Sequence, residues 1–231
     1  MCDTTARLGI TSILDVFMDT AALHAESLDF GPSSLTPDNL FWIVSRTKIH
    51  FNRRPEMFED VTASTWILPA EKIRTERDYE LSKGGEILAY GKSIWAVIDT
   101  STEKVVRLEG IYPDIEFELQ TCDEEPYRKV SRDFSDGKLL GEHRINASDV
   151  DMVGHMNNVA YVRAMLGLWP LDKLRTFEPT DIDLYFVSQS FEGETLRFMY
   201  REKDGYIEIG AFREDGSTKP AFLAAVKGTM S

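Results

Sequence analysis

The residues best suited to chemistry lie close together past the middle of the chain. Residues 149 to 162 read D-V-D-M-V-G-H-M-N-N-V-A-Y-V, which brings together two carboxylates, an imidazole and two amides: Asp149, Asp151, His155, Asn157 and Asn158. A carboxylate can act as a base or a nucleophile, and an imidazole can transfer protons. The unpaired N–H groups of a helix start can stabilise an oxyanion or a carbonyl oxygen. This stretch is the candidate site of the chain.

The apolar residues that follow predict a helix that begins within this stretch. Val159, Val162, Leu166 and Trp169 fall at i, i+3, i+7 and i+10 and share one face. The helix must therefore begin near Asn157 or Asn158, since Asn is a favoured N-cap residue. Taken singly, Asp, Gly and Asn before a helix are also ordinary turn and cap residues.

The first half of the chain predicts one helix followed by an antiparallel sheet. A helix that ends at Gly31-Pro32 has an apolar face, traced by Ile10, Ile13, Leu14, Phe17, Ala21, His24 and Leu28. His24 on that face is interpreted as a core histidine with a satisfied ring. Four stretches with strand character follow, at Phe41 to Phe51, Val61 to Leu68, Arg74 to Leu81 and Glu86 to Asp99.

The second half repeats this plan and adds a strand ahead of it. Leu139 to Asn146 reads as that leading strand, and the candidate site and its helix come next. The later strands are predicted at Ile182 to Ser190, Thr195 to Glu202, Tyr206 to Glu214 and Ala221 to Thr229. Hairpin turns at Lys203-Asp204-Gly205 and Asp215-Gly216-Ser217 separate three of them.

The two halves can be aligned on their helix starts. Cys2 to Leu8 then aligns with Val150 to Met156, so that Asp3 lies opposite Asp151 and Arg7 stands where His155 does. This indicates a duplication with one active and one degenerate half. The first half has no counterpart of the leading strand, so either the chain begins late or its first sheet is one strand short.

Between the halves, the periodicity fades from about Glu109 to Lys138. We interpret this segment as an inter-domain linker, because the alternative, a long loop inside one domain, is uncommon. The predicted domains are residues 1–110 and 139–231, joined by a linker at 111–138.

Composition limits the class of protein. The 231 residues include 42% hydrophobic and 11% aromatic residues, which is typical of a globular protein. No apolar run approaches the roughly 20 residues that cross a bilayer, and Met1 to Ile10 lacks the pattern of a secretory signal. The two cysteines, Cys2 and Cys122, lie far apart and suit a reducing compartment, so we expect a cytoplasmic protein. A net charge of −13 argues against a nucleic-acid binder.

The run Asp-x-x-Gly-His-Met-Asn-Asn-x-x-Tyr, from Asp151 to Tyr161, resembles the signature of hotdog-fold thioesterases. The whole chain resembles the acyl-acyl carrier protein (ACP) thioesterases, including the Thr65-Trp66 pair and the strand end at Trp95 to Asp99. The resemblance implies an α+β fold of two tandem hotdog domains, each an antiparallel sheet wrapped around a central helix. It also implies hydrolysis of fatty acyl-ACP to a free fatty acid, with catalysis in the second domain and an acyl pocket in the degenerate first domain.

For that chemistry, Asp151 is the candidate general base or nucleophile. His155 is expected to orient the water, to hydrogen-bond Asp151 or to donate a proton to the leaving thiolate. Asn157 and Asn158, at the helix start, are the candidate oxyanion and positioning residues. Gln189 completes the predicted catalytic set. Its position is assigned by aligning the Phe191 to Glu194 segment that follows it with the family.

Two positions depart from the family pattern. Val153 stands where the family carries Asn, and Gln189 stands where it carries Glu. A Gln can position water but cannot remove its proton at neutral pH. Asp151 would then be the sole carboxylate base nearby, unless Asp149 turns inward. Ser190 occupies a position where some plant enzymes carry Cys, so a cysteine mechanism is set aside.

Two other functions fit the same residues: an acyl-CoA thioesterase, and a hotdog protein that binds acyl chains without hydrolysing them. We expect neither a cofactor nor a metal site, because His24, His50, His143 and His155 lack ligand spacing. The expected partner is ACP, with no nucleic acid, no membrane span, and a monomer or homodimer as the assembly.

ACP is itself acidic and CoA carries phosphates, so for either carrier a local basic patch must outweigh the net charge of this chain within a Debye length of ~8 Å. The candidate basic residues are Arg53, Arg54, Arg128, Lys129, Arg132, Lys219 and Lys227.

Overall fold

The chain folds into two compact units of similar plan. The computed structural model describes residues 1–117 and 119–230. One unit, here the N-terminal unit, comprises residues 1–2 and 6–125, and the C-terminal unit comprises residues 3–5 and 126–231. Within the described part of the chain, no helix has the length and apolar character needed to span a membrane.

The N-terminal unit is one long helix followed by an antiparallel sheet. Its helices are α1 (Ile10–Ser27), α2 (Pro32–Leu35) and a 3-10 turn at Thr36–Asp38. Its strands are β1 (Leu40–Phe51), β2 (Thr62–Ile67), β3 (Thr75–Lys83), β4 (Glu86–Asp99) and the two-residue β5 (Lys104–Val105). The strands lie in the order β2-β3-β4-β1, with β5 paired to β4. The predicted helix and four strands are confirmed, whereas β5 and α2 were not predicted.

Helix α1 buries its apolar face against this sheet. Its buried residues are Ile13, Leu14, Phe17, Ala21 and Ala25. The Phe17 ring stacks on Tyr79 of β3 with 4.8 Å between ring centroids. Such burial stabilises a helix more than its intrinsic propensity does, which is why the apolar spacing predicted it.

The C-terminal unit has the same plan with one more long strand. Its strands are β6 (Lys138–Arg144), β7 (Phe177–Phe186), β8 (Thr195–Lys203), β9 (Tyr206–Arg213) and β10 (Phe222–Met230). Its helices are a 3-10 turn at Ala147–Asp149, α3 (Asn158–Gly167) and α4 (Leu171–Thr176). The strand order is β7-β10-β9-β8-β6. The predicted fold, an antiparallel sheet around a central helix in each half, is confirmed.

Helix α1 ends at Ser27, before the predicted stop at Gly31-Pro32, and strand β7 differs from its predicted bounds at both ends. Strand β7 begins at Phe177, earlier than the predicted Ile182. Proline is unfavourable inside a strand because it has no N–H to donate, but Pro179 is accommodated where the pairing with β10 shifts register, between Lys227 and Gly228. The strand ends before Ser190 because the N–H groups of Val187 and Ser188 both bond the Ala221 carbonyl, which breaks the ladder.

Helix α3 is also shorter than its apolar spacing indicated. It ends at Gly167, so Trp169, although buried, lies beyond the helix. Helix α4, which was not predicted, begins at Leu171, two residues after Trp169.

The aligned loops of the two halves share one backbone plan. Cys2 bridges Leu8 as Val150 bridges Met156. Asp3 Oδ1 accepts the Thr5 N–H at 2.8 Å, as Asp151 Oδ1 accepts the Val153 N–H at 3.0 Å. The helices begin at Ile10 and Asn158, the same distance beyond each loop. The register predicted for the duplication is confirmed, and in the described residues the N-terminal sheet has no counterpart of β6.

In its described residues, the segment that joins the two units in sequence is irregular, and several of these residues form bonds. Cys122 N–H donates to Asp78 Oδ2 at 2.6 Å, and Lys48 pairs with Asp123 at 2.8 Å, all within the N-terminal unit. Arg128 N–H donates to Asp183 Oδ1 at 3.0 Å in the C-terminal unit. The domain bounds 1–110, 111–138 and 139–231 stay a prediction.

Candidate active site

The loop between β6 and α3 is closed by its own backbone. Asp151 N–H donates to the His155 carbonyl at 2.9 Å, and Gly154 N–H donates to the Asp151 carbonyl at 3.0 Å. Gly154 has φ +83°, a left-handed conformation that costs glycine little and explains the residue choice. The loop therefore presents its side chains from a tight, fixed turn.

Asp151 is held by this turn through one carboxylate oxygen. Its Oδ1 accepts the Val153 N–H at 3.0 Å and the His155 N–H at 3.4 Å. Over the residues that the structure describes, Oδ2 has no hydrogen-bond partner, and the side chain is half-buried. Asp151 thus has a fixed orientation and one oxygen available to a water molecule.

His155 contacts an aromatic ring that was not predicted as part of the site. Its imidazole lies edge-to-face on Phe191, with 5.1 Å between ring centroids and 81° between planes. It forms no hydrogen bond to the Asp151 carboxylate within the described structure, where only backbone atoms of His155 bond Asp151. Of the three predicted roles, the ring bond to Asp151 is not formed, and the two roles toward water or thiolate remain.

Asn157 is the N-cap of α3. Its side-chain oxygen accepts the Val159 N–H at 2.8 Å, and its carbonyl accepts the Ala160 N–H at 2.9 Å. The Asn157 amide oxygen is thereby committed to the helix. In the described part of α3, the Asn158 N–H is the first-turn donor without a partner, so the oxyanion role fits the Asn158 backbone better than the Asn157 side chain.

Asp149 does not turn inward as a second base. It is buried, and its Oδ2 pairs with His143 Nε2 at 2.9 Å and accepts the Asn146 N–H at 3.1 Å. Asn146 in turn accepts the Ser148 N–H at 3.0 Å, which completes a capping box on the turn that precedes the site. Asp149 is a structural residue, which leaves Asp151 as the candidate carboxylate base of the loop.

The segment that carries Gln189 lies directly against the loop. Met156 N–H donates to the Ser190 carbonyl at 2.8 Å. Arg213, at the end of β9, donates from Nη1 to the Gln189 carbonyl at 2.8 Å and to Ser188 Oγ at 3.0 Å. The structure thus brings residue 189 to the same loop as Asp151 and His155, with an exposed side chain.

Three residues of the site were missed from the sequence: Phe191, Arg213 and the buried Tyr161. The Tyr161 ring stacks on Phe222 with 5.4 Å between centroids, and burial raises the pKa of its hydroxyl. Tyr161 belongs to the motif, so the sequence could have identified it as a site residue. Arg213 is distant in sequence from the motif, and no neighbouring residue pattern indicates its role. No cluster of metal-ligating side chains occurs among the described residues.

The basic residues proposed as a carrier-binding patch fall into two groups. Arg53 is paired with Glu59 and Glu86, Arg54 is buried, and Arg128 is paired with Asp204 and Glu208. Lys129, Arg132, Lys219 and Lys227 are exposed. Only this second group is available to an acidic partner.

Comparison with known proteins identifies the family. The N-terminal domain model of the acyl-ACP thioesterases matches residues 1–115, and the C-terminal domain model matches residues 136–219. A chloroplastic palmitoyl-acyl carrier protein thioesterase of Gossypium hirsutum is 26% identical over 89% of this chain and 53% of its own length. A chloroplastic acyl-[acyl-carrier-protein] hydrolase of Cuphea viscosissima is 26% identical over 80% of this chain and 47% of its own length. The chain spans about half the length of these two relatives.

Solved structures show the same fold. A crystal structure of an acyl-ACP thioesterase from Bacteroides thetaiotaomicron superposes with a TM-score of 0.85 at 24% identity, over 98% of this chain and 92% of that one. The 12:0-ACP thioesterase from Umbellularia californica gives a TM-score of 0.80 at 17% identity, over 100% and 93% of the two chains. The fold is a double hotdog, as predicted. With both of its domain models matched in order along the sequence, the chain belongs to the acyl-ACP thioesterase family.

Proposed function

We propose that this protein hydrolyses fatty acyl-ACP to a free fatty acid and ACP. The observation that carries this proposal is the state of Asp151, whose Oδ1 is fixed by two backbone N–H groups while Oδ2 has no partner among the described residues. A carboxylate held in this way in the loop that leads into a helix start is suited to act on a thioester carbonyl.

In the proposed reaction, Asp151 removes a proton from water as the water oxygen attacks the thioester carbon. The oxyanion that forms is stabilised by the Asn158 N–H and the positive end of α3. When the intermediate collapses, the carbon–sulfur bond breaks, and the thiolate takes a proton from Asp151 or His155. The products are a fatty acid and the ACP thiol.

We assign His155 to the later step, the protonation of the thiolate. Its ring is in contact with Phe191, and the contact holds the ring at one angle beside the loop. Gln189, with its backbone bound by Arg213, orients the water without taking its proton.

A direct attack by Asp151 on the thioester is chemically distinct and is separated by isotope labelling. With Asp151 as a base, a single turnover in 18O-water places the label in the fatty acid. With Asp151 as a nucleophile, hydrolysis of the anhydride at the aspartyl carbon leaves label in the protein instead. Hydrolysis of the anhydride at the acyl carbon labels the fatty acid, and this case is identified by trapping the anhydride with hydroxylamine.

For the carrier we favour ACP over CoA on the basis of the family, and we assign Lys219 as a docking residue. Lys219 is exposed and precedes Pro220, whose carbonyl accepts the Ser188 Oγ proton at 3.2 Å. A cation at this edge attracts an acidic carrier within the Debye length of ~8 Å. Lys219→Glu should raise KM for acyl-ACP and leave kcat unchanged, with Lys104→Glu, an exposed lysine on β5, as the control.

Turnover of matched acyl-ACP and acyl-CoA thioesters tests the function. We expect kcat/KM to favour acyl-ACP. Preferred turnover of acyl-CoA would assign the other carrier, and no turnover of any thioester would leave an acyl-binding protein in place of an enzyme.

A further inference from the structure

A polar row crosses the interior face of the N-terminal sheet. Thr47 of β1 and Arg77 of β3 both pair with Ser93 of β4, so the three side chains share one face. Arg77 bonds His24 of α1, which shows that this face is the one covered by the helix. A sheet face packed on a helix is normally apolar, so a cation there is unexpected.

Arg77 is buried without a counter-charge. Its side chain is 4% exposed, and Nη1 bonds His24 Nδ1 at 3.0 Å and Thr65 Oγ1 at 3.2 Å. No carboxylate contacts it in the described part of the chain. Burial lowers the pKa of the Arg77 guanidinium. Its two partners are neutral groups, because burial also lowers the pKa of His24 and Thr65 carries only a hydroxyl. A buried cation in this state is costly unless an anion reaches it.

A second group on the same face lacks a partner. The Thr47 hydroxyl is fully buried and has no hydrogen bond in the described structure. Its neighbour Ser93 cannot supply one readily, since Ser93 Oγ already bonds the Tyr79 hydroxyl at 2.9 Å and Trp95 Nε1 at 2.5 Å. The row therefore offers a cation and a hydroxyl with unfilled hydrogen-bonding capacity.

The side chains around the row are aromatic. Trp42 lies edge-to-face on Trp95 with 6.2 Å between ring centroids, and Phe30 contacts both Trp42 and Tyr112. Such walls suit an alkyl chain better than a compact anion.

A surface pocket of the unit shares one residue with the polar group around the row. This pocket of about 500 Å³ is lined by Leu108, Tyr112 and Phe117, together with charged residues: Glu71, Lys72, Arg107, Glu109 and Asp114. The Tyr112 hydroxyl bonds Thr75 Oγ1 at 2.6 Å, and Thr75 is two residues from Arg77 on the same face of β3. Tyr112 thus belongs to both the cavity wall and the buried polar group.

We infer that the interior of the N-terminal unit binds the carboxylate end of an alkyl chain, with Arg77 as the cation that receives it. A guanidinium presents a donor fork that matches a carboxylate, and the aromatic walls hold the chain. Two molecules share this chemistry: a free fatty acid, and an acyl chain with a carboxyl group at its distal end. The identification of the chain as fatty acyl rests on the proposed function.

Calorimetric titration of the full chain with dodecanoate and with 1-dodecanol, both below their aggregation limits, tests the inference. The wild type should bind the acid about 10-fold or more tightly than the alcohol, as expected for a charged hydrogen-bonded pair. Arg77→Met should bring the two affinities to within about twofold by weakening only the acid. Arg74→Met is the matched control, because Arg74 is exposed and paired with Glu71 at 2.6 Å, and it should keep the wild-type ratio.

Thermal unfolding separates ligand binding from a structural role. Because Arg77→Met removes a cation with no counter-charge, its Tm should not fall below that of the wild type. If Arg77→Met does not fold, Arg77→Lys replaces it, and it should weaken acid binding about threefold or more by losing the fork. Equal binding of acid and alcohol by the wild type, or an acid preference kept in a folded Arg77 variant, would overturn the inference.

Two kinetic arms assign the source of the carboxylate. Inhibition by dodecanoate that Arg77→Met relieves assigns the free acid, and a kcat/KM preference for an ACP thioester with a distal carboxyl group assigns the substrate chain. Absence of both effects in an active enzyme overturns the inference. The titration needs no turnover, so a failure of the proposed hydrolysis is distinguishable from a failure here.

Discussion

Met156 N–H donates to the Ser190 carbonyl across 2.8 Å, and this bond ties the motif loop to the segment that carries Gln189. In the N-terminal unit, Leu8 N–H donates to the Pro55 carbonyl at the same 2.8 Å. The two halves therefore share a backbone frame that brings a helix-start loop to a distant strand end. Both carry an Asp at the start of the loop, Asp3 and Asp151, but they differ in other side chains, since Arg7 stands where His155 does.

Restoring the family residues at the two divergent positions should raise activity. Gln189→Glu adds a carboxylate that can take a proton from water, so kcat should increase about 10-fold or more if proton removal limits the rate. Val153→Asn keeps the backbone N–H that donates to Asp151 and adds an amide beside it. Steady-state kinetics on acyl-ACP measure both variants. A loss of activity in Gln189→Glu would show that the amide is required.

Arg213 should act on catalysis by positioning residue 189. Arg213→Gln removes the donors to the Gln189 carbonyl and Ser188 Oγ, and we expect kcat to fall about 10-fold with KM little changed. Arg197→Gln is the matched control, because Arg197 lies on the neighbouring strand in an exposed pair with Glu142. Equal kinetic effects of the two substitutions would contradict this role.

Asp149 should matter for stability and not for chemistry. Asp149→Ala removes the pair with His143 and the acceptor of the Asn146 N–H, which should lower the free energy of unfolding by about 1–2 kcal/mol. Urea unfolding measures the loss. At a temperature where the variant is folded, kcat should stay within about threefold of the wild type. A larger loss would place Asp149 in the reaction after all.

Asp78 should make stability depend on pH. Burial raises the pKa of this carboxyl, which has no exposed surface, above its unfolded value near 4. Its protonated form favours the fold, so its contribution is fully present below the unfolded pKa and is lost as pH rises through the folded pKa. Asp78→Asn should therefore be more stable than the wild type at pH values above the folded pKa. Below the unfolded pKa, the two proteins should be equally stable. The gain should be about 1.4 kcal/mol for each pH unit that separates the folded pKa from the unfolded pKa.

Unfolding at several pH values checks this sign. Asp99→Asn is the contrasting control, because hydrogen bonds from Ser101 lower the pKa of the half-buried Asp99 carboxyl. The Asp99 variant should lose stability near neutral pH, where the Asp78 variant gains it. The same direction for both variants would refute the assignment.

The elements that the sequence predicts well are those with a local signal. The α1 face and the hairpins around Gly205 and Gly216 follow from spacing and turn residues, and Asn157 marks the start of α3 through its capping chemistry. The roles of Asp149 and Arg213 do not follow, because each depends on a partner brought close by folding: His143 for Asp149 and the Gln189 carbonyl for Arg213. The end of β7 was mispredicted for a related reason. The strand ends where the N–H groups of Val187 and Ser188 both bond the Ala221 carbonyl, and the apolar pattern of the sequence does not indicate this bonding.

The hydrolysis of acyl-ACP by Asp151→Asn tests the central claim most directly. The substitution keeps an Oδ1 acceptor for the Val153 and His155 N–H groups, so the loop and the Tm should be preserved. It removes the group that takes the proton from water, and kcat/KM should fall about 100-fold or more while Asp149→Asn remains active. A folded Asp151→Asn protein with wild-type hydrolysis would contradict the claim that this carboxylate is the base.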